Sequence, residues 1–300
     1  VARVADFDND GFEDIFIGAR SIPGYYGLSP FSFLLRNKEG KGLEIAWKER
    51  YGMITDAIWQ DINNDGRRDL ILVGDYMPIT MLENRKEGFV ENQSKYGLGD
   101  VYGFWNTIAA NDLNNDGFPD FIVGNAGLNH KWRATKETPI HLYLGDFDEN
   151  KIVEPILFYH YINRYIPLHS LDKLKGQLPV LRKKFATYTA YKNVSKIEDI
   201  LPDYAKYLIE SKMVNEMRSM ILLSDQGKYT MVPLEEKCQL SDINDIYIDE
   251  AKNFFFVGNR KNYVSEFGPA LANSGMKLSG FDPKTNSFKN IEKLPIPNAL

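Results

Sequence analysis

An acidic nine-residue pattern occurs three times in full and a fourth time with its glycine replaced, and it constrains the fold more than any other feature. The first copy, DFDNDGFED, lies near the start of the chain. Carboxylates stand at alternate positions, and Gly11 at the sixth position lets the backbone reverse so that the position-7 carbonyl can face the same point. The oxygen donors of this copy are the side chains of Asp6, Asp8, Asp10 and Asp14 and the carbonyl of Phe12.

The other copies place oxygen-bearing groups at the same loop positions. They are Asp61, Asn63, Asp65, the Arg67 carbonyl and Asp69 in the second copy, Asp112, Asn114, Asp116, the Phe118 carbonyl and Asp120 in the third, and Asp146, Asp148, Asn150, the Ile152 carbonyl and Glu154 in the fourth. Because every donor is oxygen on a flexible loop, the pattern predicts Ca²⁺ rather than Zn²⁺ or Mg²⁺, at three to four structural sites. The alternative is a solvated acidic turn that only ends a strand.

The residues that flank the loops distinguish among classes of calcium loop. An EF-hand needs a glutamate at position 12, whereas Ile17, Leu72 and Val123 occupy that position in the three full copies. Short β-rich runs such as DIFIG, DLILVG and DFIVG follow the loops, and apolar or alternating runs precede them. The loops are therefore predicted to join two strands rather than two helices.

The spacing of the loops predicts the architecture. Asp6 and Asp61 are 55 residues apart, Asp61 and Asp112 are 51 apart, and further strand and turn patterns lie between them. We expect an all-β fold, a β-propeller of four-stranded antiparallel blades, with about five blades visible. The fourth loop follows the third after only 34 residues, which predicts that the third blade is compressed or shares strands with its neighbour. Residues 1–300 are interpreted as one propeller domain or part of one.

Residues 170–217 depart from the strand pattern. Their apolar spacing predicts a helical insertion within the fourth blade, and basic residues are concentrated in its first half. An insertion of this length on a repeat scaffold tends to lie on one face, where binding sites are often found. Its role is left open by the sequence.

Composition excludes several classes of function. The net charge of −5 gives no electrostatic basis for binding nucleic acid. The single cysteine, Cys238, excludes an internal disulfide and a multi-cysteine zinc site, and we expect it to be inert. The sequence has no apolar run of the roughly 18 residues that a membrane span requires.

The DxDxDGxxD loops and the strands after them resemble the FG-GAP or VCBS repeats of integrin-α-like β-propellers. Segments such as NAGLNHKWRA and LYLGDFDENKIVEPIL are similar to a branch of large Bacteroidota proteins that often carry an ASPIC/UnbV domain. The resemblance implies export and association with the cell surface or outer membrane, in a family for which no catalytic activity is established. It also implies a seven-bladed ring that closes with sequence beyond the termini. Lys151 and a fifth loop at Asp249 that has lost its ligands depart from the pattern.

A loop at 129–133 is a second candidate site, because it combines hydrogen-bond donors with an aromatic ring. Its residues are Asn129, His130, Lys131, Trp132 and Arg133. They could recognise a sugar or a carboxylate, or Trp132 could simply pack against a blade. We therefore expect a non-enzymatic, calcium-stabilised binding module whose partner is a protein or glycan at the cell surface, another domain of a longer chain or an outer-membrane complex. The alternative is a polysaccharide lyase or hydrolase on the same scaffold.

Overall fold

The computed structural model describes residues 1–85, 88–258 and 275–294, and nearly all regular structure in these ranges is β. The strands form five antiparallel sheets of four strands each, and one sheet gains a fifth strand. The predictions of an all-β fold and of four-stranded antiparallel units are therefore confirmed. The number of blades and the closure of a ring stay predictions.

Three of the sheets are built from strands that follow one another in the chain. Sheet 1 contains β1 (Ala2–Ala5), β2 (Asp14–Ile17), β3 (Ser32–Asn37) and β4 (Leu43–Glu49). Sheet 2 contains β5 (Met53–Gln60), β6 (Asp69–Pro78), β7 (Thr80–Arg85) and β8 (Gly88–Glu91), with β9 (Tyr102–Phe104) paired to the end of β6. Sheet 5 contains β18 (Ile243–Ile248), β19 (Phe254–Gly258), β20 (Gly275–Asp282) and β21 (Ser287–Lys293).

The remaining two sheets are interleaved in the sequence. Sheet 3 contains β10 (Thr107–Asn111), β11 (Asp120–Gly124), β16 (Met220–Asp225) and β17 (Lys228–Pro233). Sheet 4, which interrupts it, contains β12 (Ile140–Gly145), β13 (Glu154–Tyr161), β14 (Arg164–Pro167) and β15 (Leu208–Val214). The loop spacing predicted a third blade that is compressed or shares strands with its neighbour, and this prediction is wrong. Sheet 3 has four strands of its own, and its last two strands follow the whole of the inserted sheet 4 in the chain.

The contacts between sheets follow the order in which the loops occur, except for the inserted sheet. Strand β1 contacts β5, β5 contacts β10, and β10 contacts β18, so sheets 1, 2, 3 and 5 are successive neighbours. Sheet 4 instead contacts sheet 2 through β15, which lies against β6 and β9. One apolar core between sheets 2 and 3 includes Trp105 and Phe121, both fully buried. Burial of this core holds the neighbouring sheets together.

The helices lie between β14 and β15. They are α1 (Leu171–Gln177), α2 (Leu181–Lys184), α3 (Tyr188–Tyr191) and α4 (Ile197–Ile200), followed by a 3₁₀ turn at Tyr204–Lys206. Their apolar residues pack on Phe147, Ile156 and Phe158 of sheet 4. The predicted helical segment therefore ends earlier than 217, because residues 208–214 pair with β12 as a strand. That pairing satisfies the backbone of 208–214, and it overrides the local helical spacing.

Candidate cation-binding loops

Each of the four acidic loops joins two adjacent antiparallel strands of one sheet. Three of the loops join the first two strands of their own sheet. They are loop 1 (residues 6–14) in sheet 1, loop 2 (61–69) in sheet 2 and loop 3 (112–120) in sheet 3. Loop 4 (146–154) joins β12 and β13, which are the two central strands of sheet 4. The sequence-based prediction that these loops connect strands is confirmed. The fifth, degenerate loop at 249–253 joins β18 and β19 as a simple turn.

One hydrogen-bond pattern recurs in all four loops. The carboxylate at position 1 accepts from the backbone N–H groups of positions 5 and 6, at N···O distances between 2.8 and 3.1 Å. The side chain at position 5 accepts from the N–H of position 7, at 2.7 to 2.9 Å. These bonds fold each loop into the same tight reversal. The side chains that make them are Asp6 and Asp10, Asp61 and Asp65, Asp112 and Asp116, and Asp146 and Asn150.

The reversal requires left-handed backbone at position 6. Gly11, Gly66 and Gly117 have φ angles of 90°, 82° and 85° there. Lys151 adopts φ 68° at the same position of loop 4, so the loop keeps its shape although the glycine is replaced. A side chain in this region strains the backbone by about 1–3 kcal/mol, and it persists only where surrounding interactions determine the conformation.

The carboxylate at position 9 is buried and ties its loop to the rest of the sheet. Asp14, Asp69 and Asp120 have no exposed surface. One oxygen of each accepts from the N–H of position 2, at 2.7 to 3.2 Å. The other accepts from a backbone N–H on the next hairpin, that of Asn37 in loop 1, Asn84 in loop 2 and Ser224 in loop 3, at 2.6 to 2.7 Å.

These buried carboxyl groups are electrostatically unfavourable as anions. Burial raises the pKa of Asp14 and Asp120 and raises the pKa of Asp69 to about 6. Their backbone hydrogen bonds oppose that rise, while the neighbouring loop carboxylates add to it. Glu154 follows the same pattern, with burial as the main cause. A bound cation would offset both the desolvation and the repulsion.

Loop 4 provides the most direct sign of a cation site. Glu154 is 2% exposed, and its Oε2 accepts from the N–H of Phe147 at 2.9 Å. Its Oε1 and the Oδ1 of Asp148 are both buried, and neither has a hydrogen-bond partner among the described residues. Carboxylate oxygens of Asp146, Asp148 and Glu154 lie within 4.8 Å of one another. The donor set of loop 4 therefore fits a hard cation.

Loop 1 brings the same three positions together. Oxygens of Asp6, Asp8 and Asp14 also lie within 4.8 Å of one another. In loops 2 and 3 the third position carries an amide, Asn63 or Asn114, whose oxygen accepts from the N–H at position 5. The position-7 residues are Phe12, Arg67, Phe118 and Ile152, and the participation of their carbonyls stays a prediction.

Two arginines contact predicted ligands, and sequence reasoning did not identify either as a counter-ion. Arg36 Nε lies 2.8 Å from Asp8 Oδ2, and an Arg67 terminal nitrogen lies 2.6 Å from Asp65 Oδ2. The loop pattern predicts a role for Arg67 only through its backbone carbonyl, as a ligand at position 7. Arg36 stands on β3, too far along the chain from loop 1 for any local motif to connect them. Both guanidinium groups partly neutralise the loops.

The 129–133 loop packs mainly against the protein. Trp132 is 8% exposed, and its ring lies 6.0 Å from that of Phe104 and 5.9 Å from that of Tyr159. His130 Nε2 contacts the Ala126 carbonyl oxygen at 2.6 Å and Asp242 Oδ1 at 3.1 Å. The other members are exposed or half-buried; they are Asn129, Lys131 and Arg133. A recognition role for this loop stays a prediction.

Comparison with known proteins is consistent with this geometry. Residues 61–123 match the FG-GAP-like repeat family, a segment that contains loops 2 and 3 complete. Among curated protein sequences no match was found. None of the helices in the described ranges has the length and apolar character needed to span a membrane.

Proposed function

We propose that this protein is a calcium-stabilised β-propeller module that mediates interactions at the cell surface. The observation that carries the calcium assignment is the pair of buried oxygens in loop 4, Asp148 Oδ1 and Glu154 Oε1. They belong to the carboxylate cluster and accept no hydrogen bond from the residues that the structure describes. In a hydrogen-bonded turn that only ended a strand, most buried oxygens of this kind would have a donor. The FG-GAP-like repeat at 61–123 supports the interaction role.

Positions 1, 3, 5 and 9 of each loop would hold the cation through side-chain oxygens. Ca²⁺ would supply positive charge where the folded chain gathers several carboxylates, and would thereby link the loop to the strands that it joins. The residues of the chain prepare the site without the ion. Position 1 fixes the reversal, and position 9 fixes the loop to the adjacent hairpin in loops 1 to 3.

The surface role rests on the family resemblance. We infer that the protein is exported and associates with the cell surface or outer membrane, as part of a longer chain or an outer-membrane complex. Its partner would be a protein or a glycan. The acidic loops stiffen one set of strand connections, which leaves the other connections and the helical insertion free to contact that partner.

Thermal unfolding of the purified protein in EDTA, in Ca²⁺ and in Mg²⁺ tests the calcium assignment. A site occupied at about 100 times its dissociation constant stabilises the folded state by about 2.7 kcal/mol. We expect a melting temperature that rises with Ca²⁺ and responds less to Mg²⁺. Glu154→Gln should lose the part of the rise that belongs to loop 4.

Glu149→Gln is the matched control, because Glu149 is exposed at position 4 of the same loop and is not a predicted ligand. It removes the same charge and should keep the full calcium response. Equal melting temperatures in EDTA and Ca²⁺, together with no bound metal by elemental analysis, would refute the proposal.

A further inference from the structure

A cleft of about 480 Å³ opens where the inserted sheet 4 meets sheets 1 and 2. It lies outside the four acidic loops, and no part of the proposed calcium function uses it. Its volume falls within the range of small-molecule sites, which commonly form between packed structural units. Most of its walls are aromatic or charged, including Arg50, Tyr51, Tyr102, His141, Tyr143 and Lys212.

One wall carries a buried charged group that is held in place by its neighbours. The Lys212 side chain is 6% exposed, and its ammonium donates to Ser29 Oγ at 2.7 Å and contacts Glu210 Oε1 at 2.9 Å. Ser29 in turn donates its hydroxyl to Glu210 at 2.6 Å. An ammonium group has three N–H donors. The described residues supply two partners for them, Ser29 and Glu210. Because Lys212 lines the cleft, a ligand bound there would accept from the third N–H.

The floor of the cleft contains a strained tyrosine. Tyr76 has φ 56°, is 4% exposed, and lies within strand β6. Its hydroxyl is 3.0 Å from that of Tyr26, and its ring meets Phe104 edge-on at 4.8 Å. Left-handed backbone at a bulky residue is unfavourable, and such residues concentrate at ligand sites, where packing holds them.

The rim of the cleft carries a cation, Arg50, that forms no ion pair with the residues that the structure describes. The Arg50 guanidinium stacks on the Phe31 ring at 4.2 Å, and Lys48 Nζ lies 4.3 Å from the same ring. In the described part of the chain neither cation forms an ion pair within 4.0 Å. Among the residues that line the cleft, Lys212 is neutralised by Glu210, which leaves the charge of Arg50 unbalanced. Burial raises the pKa of Tyr51, and Glu91 and Glu49, outside the lining, add to that rise. A guanidinium presents a planar pair of donors that matches a carboxylate.

We propose that this cleft binds an acidic sugar residue. The aromatic rings would pack against the apolar C–H face of the sugar, and the phenol hydroxyls, His141 and Lys212 would bond its hydroxyl groups. Arg50 would pair with the carboxylate. The inserted sheet completes the site, because His141, Tyr143 and Lys212 come from its strands β12 and β15. Without calcium the acidic loops repel an anionic sugar, so binding that persists in EDTA would belong to the cleft.

Calorimetric titration with a panel of oligosaccharides tests the proposal. The panel contains oligomers of galacturonate, glucuronate and mannuronate and a sialylated trisaccharide, each beside its neutral counterpart. We expect at least one acidic member to bind and its neutral counterpart to bind about tenfold or more weakly, since a charge-assisted pair is lost. Arg50→Met should weaken the acidic ligand similarly, and Tyr102→Phe should weaken it less.

Arg182→Met is the matched control, because Arg182 is exposed on α2 and does not line the cleft. It should leave the affinity unchanged. Each titration is run in Ca²⁺ and in EDTA, because acidic sugars can also be bridged to the acidic loops by calcium. Binding that vanishes in EDTA and is unaffected by Arg50→Met would overturn the cleft assignment while supporting the calcium sites. No binding across the panel, or equal affinity for neutral members, would also overturn it.

Discussion

Asp120 Oδ1 accepts a hydrogen bond from the backbone N–H of Ser224 at 2.6 Å, although 104 residues separate them. The bond ties loop 3 to the turn end of β16, after the whole of sheet 4 and its helices. Asp14 and Asn37 make the same bond in loop 1, where only 23 residues separate the partners. The repeat therefore keeps its internal geometry even when a complete sheet is inserted into it.

Replacing Asp120 by asparagine should destabilise the protein even without calcium. The carboxylate accepts from Leu113 and from Ser224 with different oxygens, and an amide has only one oxygen to offer. One buried N–H would then face an NH₂ group, which costs about 1–3 kcal/mol. Denaturant unfolding in EDTA measures the change.

Asp225→Asn is the control for that loss, because Asp225 is an exposed residue on the same strand β16. It should change the unfolding free energy little. If the two variants had the same stability as the wild type, the position-9 carboxylate would not hold the loop to the sheet.

The sequence alone predicted the elements that repeat locally. The strand–loop–strand order around Asp6, Asp61 and Asp112 followed from residue spacing, because the ligands, the turn glycine and the flanking strands lie within about one β-hairpin. The same spacing predicts that Asp146, Asp148 and Glu154 converge, and their oxygens lie within 4.8 Å of one another even with Lys151 at the glycine position. Their role as ligands stays a prediction.

Long-range pairing was not accessible from one sequence. Nothing local indicates that β11 pairs with β16 rather than with β12, because both candidates are apolar strands of similar length. Residues 208–214 were predicted as helix but form β15. Their partner β12 lies more than 60 residues earlier, so the local pattern did not indicate the pairing. The cleft formed by residues from sheets 1, 2 and 4 depends on the pairing of β12 with β15. It could not be assembled before the topology was known.

Lys151→Gly should stabilise the folded protein. Glycine adopts the left-handed conformation of position 6 without the steric penalty that lysine meets, and the other three loops have glycine there. The relief of about 1–2 kcal/mol exceeds the roughly 0.4–1 kcal/mol lost to the more flexible unfolded chain. Lys151→Ala keeps the strain and should show no such gain. A stability for the glycine variant that falls below that of alanine would contradict the strain argument.

Glu83 predicts a specific acid sensitivity outside the loops. Burial tends to raise the pKa of Glu83, but hydrogen bonds from Lys95, Tyr96 and Arg85 outweigh it and lower the pKa to about 2. A depressed folded-state pKa stabilises the protein above the unfolded value, and this contribution is lost as pH falls from about 4.5 to about 2. We expect Glu83→Gln to be less stable than the wild type at pH 7 and to lose less stability on acidification.

Chemical denaturation as a function of pH checks this expectation. Glu91→Gln, on the neighbouring strand β8, is the control, because Glu91 is exposed. Its stability should follow the wild-type curve across the acidic range. Parallel curves for Glu83→Gln and the wild type would show that the carboxylate contributes no pH-dependent stability.

Arg36→Met should strengthen calcium binding at loop 1. The guanidinium of Arg36 pairs with Asp8, a predicted ligand, so the ion must compete with an internal cation. The pair is partly exposed, and exposed pairs contribute about 0.2–1 kcal/mol, which corresponds to an increase in affinity of at most about fivefold.

Titration against a calcium-sensitive chelator measures the calcium affinity of the variant. Lys206→Met is the control, because Lys206 pairs with Asp203, far from any loop in sequence. Methionine keeps a side chain of similar length but removes the guanidinium that lies over the Phe7 ring, so the variant removes the charge and this cation–π contact together. An unchanged or weaker affinity would mean that Arg36 orients Asp8 for the ion rather than competing with it.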